Sequence, residues 1–374
     1  MSDNNNLHRI LVNINDINKV GKVKKINIDG KEVEIEIVGD RFPLKNEEND
    51  ICTPFFGLKE PLCTKCLVEK LEENGVTMNE SEKKRAYIVL NEINYYRLSI
   101  FTHYLRDEDR SFNRLMELYD FDQFLRTSIE KLLNPVEEFI KTTLVNYLCC
   151  QASHDLEFQD KAPLIYLDRK IFKKPKKEAD QKSIDREIDR IENEFYKTVY
   201  TNRSHPSIDH HLKAYNGNIP FWVLVEHLTF GNISSFITYL DRQRRKGWIE
   251  DKMKLSDGQN ICGPKTIPGW IDALRILRNS CAHLSRLYAW NFPFRVNFDG
   301  VNFVKYIDVN SSDFKQSLFC ALFIMRRFYL IMSHERITEW NIFMEELNFK
   351  IETFKIDVSK MGIPYFFVED WIIK

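Results

Sequence analysis

A mainly α-helical protein with a small N-terminal β-hairpin is what this sequence predicts, and three observations carry that expectation. From about residue 61 onward, apolar residues recur with a period near 3.6. Gly 13 and Pro 12 in 374 residues are few for a turn-rich β-sandwich or a glycine-rich phosphate-binding enzyme. Only the stretch 10–41 alternates apolar and charged side chains, and it does so about Asp29-Gly30, a strong hairpin signal. With 43% hydrophobic and 13% aromatic residues the chain can fill one large core or two ordinary ones, and general disorder is excluded.

The elements follow in order. KVKKINIDGKEVEIEIVGD makes two strands, fewer than stand alone, so residues 1–60 read as an appendage. A helix over 64–73 is closed by Asn74-Gly75, and a second over 79–105 is capped by Asn79 or Ser81. Helices over 112–119 and 121–150 follow, with Pro135 as an expected kink. The insert at about 160–215 holds the basic run RKIFKKPKK and a charged amphipathic helix over 180–196. Residues 220–240 read as two short helices broken at Phe230-Gly231-Asn232, and the next helix runs from near Pro268 to about Trp290. A long apolar helix over 313–349, with a break near 334–336, precedes a tail at 346–374 that packs on the main bundle of 61–345.

Lys plus Arg 54 against Asp plus Glu 55 gives a net charge of -1, so a nucleic-acid partner must be held by local basic surface rather than by a global field. MSDNNNLHRI lacks the basic and apolar regions of a signal peptide, and QSLFCALFIM meets Arg326 and Arg327 before it could span a bilayer. A cytoplasmic protein without membrane contact is expected. Cys63 and Cys66 form a CxxC without the second pair that zinc prefers; the cluster His205, Asp209, His210 and His211 sits among loop-forming residues. Neither motif predicts a metal, and no other cofactor is expected.

GWIDALRILRNSCAHLSRLYAWN, residues 269–291, stands apart. At 100° per residue, Trp270, Leu274, Leu277, Cys281, Leu284 and Tyr288 share one narrow arc. Arg275, Arg278, Asn279, His283 and Arg286 fall opposite, and after Asp272 that side carries no carboxylate. Arginine offers a fixed fork to phosphate oxygens and histidine moves protons near neutral pH. With an amide to orient them, these are the minimum for cleaving RNA without a metal. Arg followed by four to six residues and His occurs four times, at Arg97 and His103, Arg203 and His210, Arg278 and His283, and Arg327 and His334. Only Arg278 and His283 have the adjacent Asn and the one-sided face; a solvated, merely basic helix is the competing reading. The run Arg169 to Lys177 is a solvated loop or a phosphate contact through Lys173, Lys174, Lys176 and Lys177.

RNSCAH, residues 278–283, resembles the Arg-x4-6-His signature of HEPN ribonucleases, in which a polar residue follows the Arg. RNSCAHLSRLYAWN resembles the closing motif of the abortive-infection (Abi-like, AbiD/AbiF-type) proteins of bacterial phage defence. NYYRLS at 94–99, YDFDQFLR at 119–126 and IPFWVLVEHLTFGNIS at 219–234 are similar to the same family in the same order. Two departures are Lys141 in place of an Arg after Glu137-Glu138, and a longer step from Leu287 to Trp290-Asn291.

The resemblance implies a HEPN-like helical bundle and a metal-independent endoribonuclease, a toxin of phage defence held inactive by a noncoding RNA or a protein inhibitor. It implies His283 as general base or acid on the ribose 2'-hydroxyl, Arg278 on the scissile phosphate, and Asn279 as the orienting amide. The products would be a 2',3'-cyclic phosphate and a 5'-hydroxyl. Arg275 and Arg286 would take flanking phosphates, and a homodimer would bring two 278–283 helices together into one composite centre. Two alternatives stay open: a catalytically silent RNA-binding or partner-binding module of a toxin-antitoxin system, and a nucleotide-binding partner of a nucleotidyltransferase.

Overall fold

The computed structural model describes residues 23–28, 31–36, 61–175, 180–298 and 311–374. The chain divides into two compact units, residues 1–63 and 64–374. In the first, strands β1 (Val23–Ile28) and β2 (Lys31–Glu36) pair antiparallel from Val23 opposite Glu36 to Ile28 opposite Lys31. The pairing matches the two strands expected on either side of Asp29-Gly30, a pair that itself lies outside the described residues.

The second unit is helical. It opens with α1 (Thr64–Glu73), and Gly75 follows at φ +83, the left-handed region that glycine occupies without penalty. Next comes α2 (Glu80–Glu92), capped by Asn79 in a reciprocal box with Glu82. The sequence reading carried this helix on to Leu105, but it stops at Ile93. Asn94 turns its side chain onto the N–H of Tyr96 and starts a new helix, α3 (Tyr95–Ser99), continued by a 3-10 turn over Ile100–Tyr104. An asparagine amide competes well with the helical backbone at a cap, and here it wins.

The axis of the unit is α4 (Phe112–Ser153), 42 residues long. The helix joins the two expected ones and continues through Pro135, the expected kink position. Pro135 supplies no N–H to the ladder. Three residues before it, the buried Tyr329 hydroxyl donates to the carbonyl of Leu132 at 2.9 Å and ties this stretch of α4 to a neighbouring helix.

Around α4 stand α5 (Gln181–Thr201), α6 (Pro206–Ala214), α7 (Phe221–Leu224), α8 (Phe230–Tyr239), α9 (Arg242–Lys252) and α10 (Ile267–Ala282). The chain then passes through α11 (Ser312–Lys315), α12 (Leu318–Tyr329), α13 (His334–Thr353) and α14 (Val368–Trp371). The expected long C-terminal helix is divided at residues 330–333, with Ser333 at the N-cap position of α13. The break in the 220–240 stretch also sits elsewhere. Thr229 and Asn232 close a capping box, so Phe230, Gly231 and Asn232 form the first turn of α8 rather than a gap. His205, Asp209, His210 and His211, expected in a loop, lie on α6, whose first turn takes Pro206 and whose cap is His205. Among the described residues no group of three or more His, Cys, Asp or Glu could hold a metal ion, and no helix is long and apolar enough to cross a membrane.

The chain end is sewn into the bundle. Trp371 is buried, its carbonyl accepts from Trp340 Nε1 at 2.8 Å and Arg326 Nε at 3.0 Å, and Asn341 exchanges two hydrogen bonds with Ile373.

Candidate functional site

Helix α10 carries the Arg278 to His283 stretch. Its apolar stripe is buried as the wheel requires: Trp270, Leu274, Leu277 and Cys281 are at most 1% exposed. Burial pushes the Cys281 thiol up to about 12, so it is a neutral packing group between Asn279 and His283. The helix ends eight residues earlier than expected, at Ala282, with His283 as its C-cap. Leu284 takes φ +55 and the N–H of Ser285 returns to the Ser280 carbonyl at 2.8 Å, a six-to-one closure of the last turn. Helical periodicity thus fails beyond Ala282, and Leu284, expected in the core, is 52% exposed.

The loop after this turn is held from a distance. Asp122, fully buried on α4, accepts the N–H groups of Leu287 and Tyr288 at 2.7 Å each and pairs with Arg126 one turn along. Arg286 reaches the Tyr104 hydroxyl at 2.7 Å and the carbonyls of Tyr288 and Ala289, and its guanidinium lies 5.0 Å from the centre of the Tyr104 ring. Tyr288 packs edge-on against Tyr104 and Phe121.

These contacts build a cleft of about 340 Å³ at the end of α10. Tyr96, Arg97 and Ile100 line one side, Tyr119, Asp122 and Arg126 another, and His283 to Arg286 the third. Three of the four stretches singled out by sequence resemblance therefore meet in one place. The fourth supports α10 near its start. There Ser234 Oγ donates to Asp272 at 3.3 Å, Asp272 holds Arg275 Nε at 2.7 Å, and a side chain on Gly231 would come to 3.8 Å from Arg275. Arg275 opens onto a second cleft of about 570 Å³ between α5, α8 and α10.

The expected site residues are brought together only in part. His283 is exposed at the cleft, and among the described residues its imidazole makes no side-chain hydrogen bond. Arg278 lies outside the cleft lining; it donates to Asn279 Oδ1 at 3.3 Å and faces Glu137 of α4 at 3.9 Å. Lys141 holds that same carboxylate at 2.8 Å, so the lysine that departs from the expected pattern still pairs with the acid before it.

The basic face of α10 is thus less free than its own sequence says. Asp272 engages Arg275, Glu137 stands near Arg278, and Arg286 has left the helix for structural bonds. In the run 169–177, Arg169 pairs with Asp189 and Glu192, and Lys170 with Glu157. Lys173 lies 3.9 Å from the centre of the Tyr239 ring, and burial lowers its pKa. Lys174 is exposed, while Lys176 and Lys177 lie outside the described residues. Tyr96, Asp122 and Arg126 were quoted within resembling stretches but not singled out as site residues. Nothing in spacing along the chain marks them, because they reach the site across the fold.

A family model described as Abi-like protein matches residues 88–289, just over half of the chain. This chain belongs to the Abi-like family. The match contains every residue that lines the cleft and ends at Ala289, whose carbonyl anchors Arg286. No curated protein and no solved structure matches the chain.

Proposed function

We propose that this Abi-like protein is a HEPN-type endoribonuclease of abortive infection, working without a metal. The observation that supports the reading is His283, exposed and unengaged at the mouth of a cleft whose floor is the buried Asp122 and Arg126 pair. His283 takes the proton of the ribose 2'-hydroxyl, whose oxygen attacks phosphorus. The bond from phosphorus to the 5'-oxygen breaks, and that oxygen leaves with a proton taken from solvent water. A 2',3'-cyclic phosphate and a 5'-hydroxyl result. Arg278 neutralises charge gathering on the phosphoryl oxygens, and Asn279 orients its guanidinium.

Arg278 and His283 point to different neighbours within one chain. A second copy of α10 across a two-fold axis supplies the missing half, so the active species is a homodimer. Under this reading a noncoding RNA or a protein inhibitor restrains the enzyme until infection.

One observation favours a catalytically silent RNA-binding or partner-binding module instead: Arg275, Arg278 and Arg286 all face partners within their own chain. Incubation of purified protein with RNA in EDTA separates the two. Cleavage that drops at least a hundredfold in His283→Ala is the expected result for the enzyme. Undiminished cleavage by that variant, or none by the parent chain in any de-repressed state, overturns it.

A further inference from the structure

Tyr96 is the most exposed aromatic side chain beside the cleft, at 75%. Together with Ile100 it also lines a second cavity of about 320 Å³, bordered by Asn74, Ser99, Thr102, His103 and Arg110. Residues shared by two adjoining cavities form the divide between them. Each cavity is at the lower end of the range that holds a small organic group.

The divide is braced from its own helix start. Asn94 caps α3 through the N–H of Tyr96, and the Tyr95 ring stands edge-on to Tyr96 at 5.5 Å. Tyr95 is itself held by Asn74, which donates to its hydroxyl at 2.7 Å. With its backbone held and its ring packed edge-on along one side, Tyr96 leaves most of its ring open to a flat partner. Arginines border both cavities: Arg97, Arg126 and Arg286 the first, with His283 beside them, and Arg110 the second, beside His103. The carboxylate of Asp122 in the first is already paired, and Asp107, exposed, stands 3.8 Å from Arg110 at the second.

Resting on the ribonuclease reading above, we propose that Tyr96 is a base-stacking platform that seats an unpaired nucleotide next to the scissile phosphate, making single-stranded RNA the substrate. An aromatic ring within a cationic groove holds any base by its π-face, whereas a paired base keeps its faces inside the duplex. Specificity for unpaired RNA then comes from the wall of the cleft rather than from α10.

The test uses the full chain carrying His283→Ala, so that RNA stays intact, and a fluorescein-labelled single-stranded oligoribonucleotide read by anisotropy. Adding Tyr96→Ala is expected to weaken binding about tenfold, the weight of one stacked base. Tyr96→Phe should retain binding and Tyr96→Trp should tighten it, while a hairpin duplex should bind weakly and ignore all three. In a 2-aminopurine oligonucleotide, quenching on binding should vanish with Tyr96→Ala alone. Equal binding by the Ala and parent forms, or a Phe variant as weak as Ala, overturns the stacking role even if the parent chain cleaves RNA. Failure of the parent to bind or cleave any RNA overturns the ribonuclease reading together with it.

Discussion

Leu284 holds a left-handed backbone that costs an L-residue with a side chain roughly 1 to 2 kcal/mol, and it does so half-exposed at the lip of the cleft. Strain of this kind is kept where the surroundings over-determine it, here by the Ser285 closure and the Asp122 bonds that follow. Leu284→Gly should therefore raise stability by a few tenths to about 1 kcal/mol in urea unfolding. Asp122 is the opposite case. Asp122→Ala leaves Arg126 buried without its partner and two amides unanswered, and should destabilise by about 3 to 5 kcal/mol. Circular dichroism during denaturation measures both. His283, Arg278 and Asn279 could be proposed from sequence because they lie within six positions, on the last turns of one helix and its cap. Tyr96 and Asp122 were not, since a contact spanning 165 positions leaves no periodicity to read.

At the scale of the element, ends were harder to read than middles. The apolar stripe of α10 specifies the helix, but its end is decided by a leucine in the left-handed region where a glycine would have been the signal. Gly231 misled in the other direction. It suggested a break, yet its neighbours Thr229 and Asn232 cap α8 and place it within the helix. Thr229→Ala should cost about 1 kcal/mol, visible as a lowered urea midpoint. Gly247 has a packing reason that no local pattern discloses. A side chain there would come within 1.9 Å of the Tyr147 hydroxyl of α4, beside the bond from Trp248 Nε1 to Thr143 Oγ1 at 3.1 Å. Gly247→Ala should cost about 1 to 3 kcal/mol by forcing α9 off α4, despite alanine's better helix propensity.

For the molecule as a whole, balanced charge proved a poor guide to surface, because pairing across the fold decides which charges remain available. Acids on α4 and α5 answer Arg278 and Arg169, which no single helix could reveal. The same burial sets an alkaline limit. Cys149 is pushed up to about 11 and Cys281 to about 12, with Cys262 and Cys320 raised by burial as well. A raised folded pKa means that stability is full below the ordinary thiol value and falls as pH climbs through the folded one. Unfolding free energy should thus drop steadily from about pH 9 to pH 12, measured by urea titration at each pH.

The bond from Asp122 to Leu287 and Tyr288 has one more consequence. Tyr96 and Asp122 leave the ribosome well before the amides that Asp122 awaits, which lie 165 and 166 positions further along the chain. A nascent chain therefore cannot hold the finished cleft until Leu287 and Tyr288 have followed. Under the proposed ribonuclease reading, the order of synthesis itself delays the hazard.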